Sequence, residues 1–443
     1  MFLDHMPLKL LSFRIHISKS IISNIIQKRR IKMFRISLIW FGAAISIAEI
    51  LTGASLEGLG LSKGLAVIVL GHIIGCILLV LAGMIGVKNK EGSMKSSALS
   101  FGRWGCYFFA IMNIIQLVGW QGIMIFDASY SAEGILKLGK SWWSLIIGLL
   151  TVAWIIIGIK HRDKLNVVVM VLLLLLTVVL SVIIFSGIKR GEAGAAAATS
   201  SLSFGQGLEL SIAMPLSWIP MIADYTYKAK KPVKTTYSAC ITYSVASMWM
   251  YIIGLGAAVI THETRIDQIM LKAGLGAAGL FIIVFSCVTT NFIDAFSCNQ
   301  STYALLPEKF FNTDKDKKPS FKGNVRANLP GIIDTIIGTI GAIVFPMENI
   351  TEFLYFIGSI FAPMISVQIA DNFILHHNKK DTKIDAVAAI GWAIGFVVYR
   401  VLMKYDFFFG NTLPDMAITI FITIILRKVS LAVVGRKKQQ VAA

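Results

Sequence analysis

The stretch FSCVTTNFIDAFSCNQS places its polar groups as if on one face of a helix. Ser286, Thr289 and Thr290 follow the i, i+3, i+4 spacing, and Asp294 continues the row four residues later. Hydroxyl oxygens, completed by backbone carbonyls, are hard ligands of the kind a small hard cation takes. Serine and threonine in apolar helices also bond to their own backbone or a neighbouring helix, and that reading stands beside the first. Asn291 and Asp294 weigh against it, because an amide and a carboxylate in apolar surroundings need partners.

Carbonyls for such a cation require a helix that breaks. Ile36–Gly60, ISLIWFGAAISIAEILTGASLEGLG, is long enough to cross a bilayer, yet Ser46, Glu49, Thr52, Gly53 and Ser55 cluster in its middle and outer half. In lipid, backbone leaves the helical pattern only where protein or a wet cavity satisfies it. The segment reads as a discontinuous helix whose freed groups hold an ion and a polar solute. An ordinary helix with small residues for close packing is the alternative. A third stretch, NIIQLVGWQGIMIFD, sets Gln116 and Trp120 four apart on one face, with Gln121 beside it. Trp120 lies ~24 Å along the run from Trp104 at 1.5 Å per residue, too deep for an inner interfacial anchor. It remains open to an outer belt or to a stacking platform, since an indole face suits a flat heteroaromatic ring.

The elements that must position these groups are membrane spans. The chain is 56% hydrophobic and 15% charged, with mean hydropathy +0.73, and no soluble fold carries so many apolar runs of spanning length. The formal charge of +18 sits in short loops between those runs, the pattern of topology signals rather than of a nucleic-acid interface. The runs predict an all-α integral membrane protein of twelve spans: Ile36–Gly60, Leu65–Val87, Trp104–Asp127, Trp142–Ile159, Leu165–Ile188, Gly207–Tyr225, Thr236–Ile260, Leu275–Leu306, Leu329–Phe345, Thr351–Leu375, Ile384–Met403 and Thr412–Leu426. Alternate loops carry most of the lysine and arginine, from Lys88–Arg103 to Lys379–Lys383. That side, with both termini, is expected in the cytoplasm, across the plasma membrane of the cell.

A small-residue loop, Gly191–Ser203, divides residues 36–190 from residues 204–375. The two five-span halves start from opposite sides, as an inverted repeat requires. The sixth span matches the first and should break too: in LELSIAMPLSWIPMIADYTY, Pro215 and Pro220 remove two backbone donors, with Ser211 and Ser217 nearby. Residues 384–426 add two spans, 1–35 form a basic head, and 427–443 form a basic tail. Met33 is an alternative start, and Leu10–Ile26 is amphipathic enough to lie on a membrane surface.

With these residues in view, the chain resembles the nucleobase–cation symporters. FGAAISIAEILTGA, QLVGWQG, ADYTYKAKKP and VTTNFIDA carry the likeness over Ile36 to Leu426, most closely on the cytosine-permease side, with the hydroxymethylpyrimidine carriers. The resemblance implies a LeuT-like inverted-repeat fold with two added helices. It also implies import of a nucleobase, hydantoin or related heterocycle together with a cation. The family's substrate tryptophan falls on Trp120, and its cation hydroxyls fall on Thr289 and Thr290, with Ser286 one turn earlier. Backbone oxygens of the first-span break fall near Gly42 and Ile45, with Ser46 facing substrate, and Asn291 matches an asparagine of the cytosine-permease pattern. The hydantoin carriers' glutamine after the tryptophan falls on Met124, and their aromatic in the sixth-span break is replaced by Met214 or Pro215. Those departures argue against hydantoin. Glu49 and Asp294 have no clear counterpart in the family.

The expected activity is import of a pyrimidine-type heterocycle, hydroxymethylpyrimidine or cytosine, coupled to Na⁺ or H⁺ by alternating access. The substrate groups expected are Ser46, Glu49, Gln116, Trp120, Gln121, Met214, Asn291 and Asp294, and the Na⁺ ligands Gly42, Ile45, Ser286, Thr289 and Thr290. A purine, allantoin or hydantoin permease of the same family is the nearest alternative. A channel would need repeated pore elements or a selectivity filter, and none is visible. An enzyme would need a nucleophile–base or metal group in the spans, and His72 is alone there. Gly134–Ser141 spells a phosphate-binding loop but lacks the preceding strand. Gly71–Gly75 and Gly391–Gly395 read as helix-packing pairs. The five cysteines show no metal or disulfide spacing, and no cofactor, nucleic acid or obligate protein partner is expected beyond the small heterocycle and the lipid bilayer.

Overall fold

The computed structural model describes residues 33–189, 202–261, 265, 267–268, 271, 274, 276–306, 325–347, 349–378 and 382–442. The head at 1–32, most of the dividing loop and most of the loop after the eighth span lie outside the described residues. Every regular element described is helical, as backbone in lipid must be when it satisfies itself. We label the helices α1 Met33–Ala44, α2 Ile47–Ala54, α3 Gly60–Asn89, α4 Ser93–Ile135, α5 Lys140–Lys189, α6 Phe204–Ser217, α7 Ile222–Thr226, α8 Pro232–Thr261, α9 Gly276–Leu305, α10 Leu329–Val344, α11 Ile350–Ile369, α12 Ala386–Leu402 and α13 Thr412–Ala442. Among the described residues, seven helices are long and apolar enough to cross a membrane, and shorter apolar helices lie at 33–44, 171–186, 329–344 and 386–402.

The first span is two helices, as its composition predicts. Ser46 has extended backbone, φ −130° and ψ 158°, and its Oγ accepts from the Glu49 amide to cap α2. The sixth span is likewise two helices, α6 and α7, separated by Trp218–Met221, beyond Pro215 and at Pro220. α6 opens on a capping box: Ser203 Oγ accepts from the Gln206 amide, and the Gln206 side chain accepts from the Ser203 amide.

Three expectations shift. α5 runs as one 50-residue helix through 160–164, where the charge pattern placed a loop between the fourth and fifth spans. α4 begins before the expected third span and turns sharply at Gly102, whose φ of 73° is left-handed and suits glycine. The last span does not end at Leu426: α13 continues through the expected basic tail. Arg427 is only 3% exposed, and it donates to Asp371 at 2.9 and 2.7 Å and to Asp385 at 2.6 Å. At the start of α4, the half-buried Asp224 accepts at 2.9 Å from the Ser93 amide.

Close helix packing brings the broken spans to the centre. A Cβ on Gly71 would meet Ser211 of α6 at 2.3 Å, and one on Gly75 would meet Pro215 at 2.7 Å. A Cβ on Gly254 of α8 would lie 2.0 Å from the Ile50 carbonyl of α2. Such approaches bring α3 against α6 and α8 against α2 almost backbone to backbone. The broken spans are thereby enclosed by α3, α4, α8 and α9.

Candidate functional site

The α1–α2 break leaves Gly42, Ala43 and Ile45 without the amide partners a continuous helix would give them. A continuous helix would aim the Ser46 amide at Gly42, but that amide bonds to the Ala44 carbonyl at 3.0 Å. It would aim the Glu49 amide at Ile45, but that amide is taken by Ser46 Oγ at 3.4 Å. The family resemblance had pointed to Gly42 and Ile45 and not to Ala43, and the freed carbonyls do not by themselves separate the three. α9 packs against α1 and carries the hydroxyls. Thr289 Oγ1 donates to the Phe285 and Ser286 carbonyls at 2.9 and 3.1 Å, and Ser286 Oγ donates to Ile283 at 3.4 Å. A hydroxyl that donates to its own helix keeps its lone pairs for a cation. Thr290 Oγ1 is buried and has no hydrogen-bond partner among the described residues.

A small cavity lies where the two breaks meet, lined by Ser46, Glu49, Trp120, Met214, Trp218 and Asp294, with Ala48, Met124, Met221 and Thr290 between them. A mostly apolar lining with a few converging polar groups is the character of a small-molecule pocket. Trp120 is 7% exposed and its ring meets Phe353 edge-on at 5.3 Å, so it belongs to the interior and not to an interfacial belt. Trp218 faces it from the other break. Its ring packs edge-on against Trp40 at 5.4 Å and Tyr243 at 5.7 Å, which closes the α1 side of the cavity with aromatic rings.

The remaining expected groups surround this cavity without lining it. Gln116 donates at 3.0 Å to Asn113 Oδ1 and at 3.0 Å to the Ser217 carbonyl, which satisfies the end of α6. Gln121 donates to the Asn291 carbonyl at 2.9 Å and to Asp334 at 3.4 Å, which joins α4 to α9 and α10. The Asn291 side chain reaches Cys287 Sγ at 3.6 Å. Two groups were missed from the sequence. One is Trp218: the sixth-span break does carry an aromatic residue, and its position inside SWIP, between two prolines, was the available signal. The other is a hydrogen-bonded set behind Glu49. Tyr243 Oη and Ser247 Oγ lie 2.8 and 2.7 Å from its two oxygens, and His72 Nε2 lies 2.7 Å from Ser247 Oγ. The three partners lie on α3 and α8, more than twenty residues from Glu49, where no spacing rule connects them.

Among the described residues, no group of three or more His, Cys, Asp or Glu is placed to hold a metal, and all five cysteines are free thiols. The glycine-rich turn at Gly134–Ser141 is closed by Glu133, which accepts from the Leu138 and Gly139 amides at 2.9 and 2.6 Å; a carboxylate filling those amides repels a phosphate.

Solved structures share this architecture. The chain superimposes on Mhp1, a nucleobase-cation-symport-1 family transporter solved in a closed conformation with bromovinylhydantoin bound. The TM-score is 0.68 at 16% identity, covering 90% of this chain and 93% of that one. A Na⁺-coupled sialic acid symporter in a substrate-bound outward-open state matches at TM-score 0.66 and 13% identity, over 91% and 90%. Both therefore report on fold, and the fold is that of LeuT-like transporters. In sequence, the chain is 23% identical over 363 residues to a candidate purine-cytosine permease of Bacillus subtilis (strain 168), YxlA, covering 78% of this chain and 76% of that protein. The family model described as permease for cytosine/purines, uracil, thiamine and allantoin matches residues 25–389. That match spans both helix breaks and the whole cavity lining, and the chain belongs to this family, the nucleobase–cation symporters.

Proposed function

We propose that the protein imports a small aminopyrimidine, hydroxymethylpyrimidine or cytosine, together with a cation. The observation that carries this is the small cavity at the meeting of the two breaks, where one indole face and two carboxyls converge in a mostly apolar lining. Trp120 offers a face for stacking a flat ring. Ser46, Glu49 and Asp294 offer polar groups to its edge, and an amidine-like edge carrying an exocyclic amine suits the two carboxyls. Trp218 would close over the ring from the α6–α7 break.

The cation is assigned to the freed carbonyls of Gly42 and Ile45 and the hydroxyls of Ser286, Thr289 and Thr290, with Na⁺ as the first choice. Residues 36–190 and 204–375 would act as the two inverted repeats of an alternating-access carrier, with 384–426 as added helices and the basic loops in the cytoplasm. A purine is the second reading, favoured by the name of the Bacillus subtilis relative and by the family's description.

Uptake into proteoliposomes, with and without an inward Na⁺ gradient, tests the reading. Saturable cytosine or hydroxymethylpyrimidine uptake that hypoxanthine does not compete supports it. Competition by hypoxanthine at lower concentration than by either pyrimidine moves the assignment to purines. Thr290→Ala should weaken Na⁺ dependence and substrate binding together, because coupling between two ligands is reciprocal. Uptake indifferent to Na⁺ in the parent would remove Na⁺ from the reading.

A further inference from the structure

We propose that Glu49, Ser247 and His72 form a proton relay that stores the proton of Glu49 inside the protein when a substrate binds. All three side chains are 0–1% exposed. The direction of each hydrogen bond fixes what the relay can do. His72 Nδ1 lies 2.8 Å from the Ile68 carbonyl, which can only accept, so Nδ1 carries a hydrogen in every state. His72 Nε2 lies 2.7 Å from Ser247 Oγ, and Ser247 Oγ lies 2.7 Å from a Glu49 oxygen. Two arrangements then satisfy every atom. In the first, Glu49 is a carboxylic acid that donates to Ser247, and Ser247 donates to a bare Nε2 of neutral His72. In the second, the imidazolium Nε2–H donates to Ser247, and Ser247 donates to the Glu49 carboxylate.

They differ by one concerted transfer. The Glu49 O–H proton passes to Ser247 Oγ as the Ser247 proton passes to Nε2, leaving a carboxylate and an imidazolium with no atom gained or lost. Tyr243 donates to the other Glu49 oxygen at 2.8 Å in both arrangements and so does not choose between them. Separating charge in apolar surroundings is costly, which favours the neutral arrangement in the resting protein. Glu49 also lines the central cavity, so a ligand N–H that donates to it favours the carboxylate and drives the proton to His72.

The other neighbours do not supply this switch. On α8 the Tyr251 ring lies edge-on to His72 at 4.7 Å. At the α3–α6 contact, Ser211 and Ile212 are the residues α6 brings to Gly71, next to His72. α4 presents Trp120 and Met124 to the cavity, and α9 presents Asp294 across it. α11 carries Glu352 and Tyr355 in its first two turns and no titratable side chain beyond them.

The ligand-driven step rests on the reading of the cavity as the substrate site; the relay itself does not. Nitrogen-15 NMR of histidine-labelled full-length protein in nanodiscs reads both, with the His72 signals assigned by their loss in His72→Gln. Acidification without ligand should convert His72 from a single N–H ring to imidazolium in the parent. The conversion should need a lower pH in Ser247→Ala, where Nε2–H has no acceptor. Identical titrations of parent and Ser247→Ala overturn the relay.

Cytosine at neutral pH is the second arm. It should convert His72 to imidazolium in the parent and leave it neutral in Ser247→Ala and Glu49→Gln, with affinity about tenfold weaker in Ser247→Ala, within the range for coupled sites. Cytosine bound by calorimetry with an unchanged His72 overturns the ligand-driven step. If cytosine does not bind, hydroxymethylpyrimidine takes its place in this arm; if neither binds, the substrate assignment and the ligand-driven step fall together, and the acid titration still decides the relay. If Ser247→Ala does not fold, Glu49→Gln replaces it in both arms. Glu49→Gln removes the relay's acidic end, so its His72 titration must also differ from the parent's, and a titration identical to the parent's overturns the relay.

Discussion

At the scale of single residues, the cavity divides its work between faces and edges. Trp120 gives a large flat surface with little freedom to lose on binding, because Phe353 holds its ring. Trp120→Ala should weaken cytosine binding by about 1–3 kcal/mol, the size of a base–aromatic stacking contact, in a scintillation proximity assay. Unchanged affinity would remove the stacking role. Asp294 is 2% exposed, its Oδ1 has no partner among the described residues, and it stands four residues from Thr290 on α9. A carboxyl so buried needs a proton, a cation or a ligand donor. Asp294→Asn should therefore change the dependence of uptake on Na⁺ or pH more than it changes competition among pyrimidines. An unaltered ion and pH dependence with altered competition would reverse that assignment.

At the scale of elements, the breaks rest on helices that touch without side chains between them. Gly254 on α8 allows Ile50 of α2 to approach so closely that a methyl group would lie 2.0 Å from its carbonyl oxygen. Gly254→Ala should cost about 1–3 kcal/mol of stability, as over-packing does, and should displace α2 with Ser46 and Glu49 on it. A lower melting temperature together with weaker substrate binding is the expected result, and a parental melting curve would count against it. These elements were legible to different degrees. The first-span break was readable because serine, glutamate and glycine interrupt an apolar run, and the sixth-span break because proline cannot donate. The freed carbonyls at Gly42 and Ile45 were accessible only through family resemblance, since backbone hydrogen bonding leaves no mark in side-chain pattern. The roles of Gln116 and Gln121 as ties between helices, and the chain from Glu49 to His72, were not readable. They depend on which of several buried faces meet, and apolar surface all round a helix does not specify that.

At the scale of the whole molecule, buried ionic groups tie the added helices to the rest. Near the start of α13, Glu209 of α6 accepts from the Tyr399 hydroxyl, the Thr412 hydroxyl and the Asn411 and Thr412 amides at 2.6–2.8 Å. Further along α13, Arg427 meets Asp371 and Asp385 and reaches the Ser100 carbonyl at 3.4 Å. Removing one partner of a buried ion group leaves the others uncompensated. Arg427→Met should cost about 3–5 kcal/mol in thermal unfolding of the purified protein. A loss below 1 kcal/mol would mean that water already reaches the aspartates. Charge counting assigned Arg427 to a solvated tail because basic residues follow it, and only the fold shows that its own turn faces inward.

The position of Arg427 has a practical consequence for anyone trimming the gene. Hydropathy places the end of the last span at Leu426, the natural site for a stop codon or a fusion junction. A cut there deletes Arg427, the cation that Asp371 and Asp385 share among the described residues. The shortened protein would keep most of its apolar surface and still fail to assemble tightly, a defect easily blamed on the detergent. A cut placed after Val433, beyond the apolar part of α13, keeps that cation.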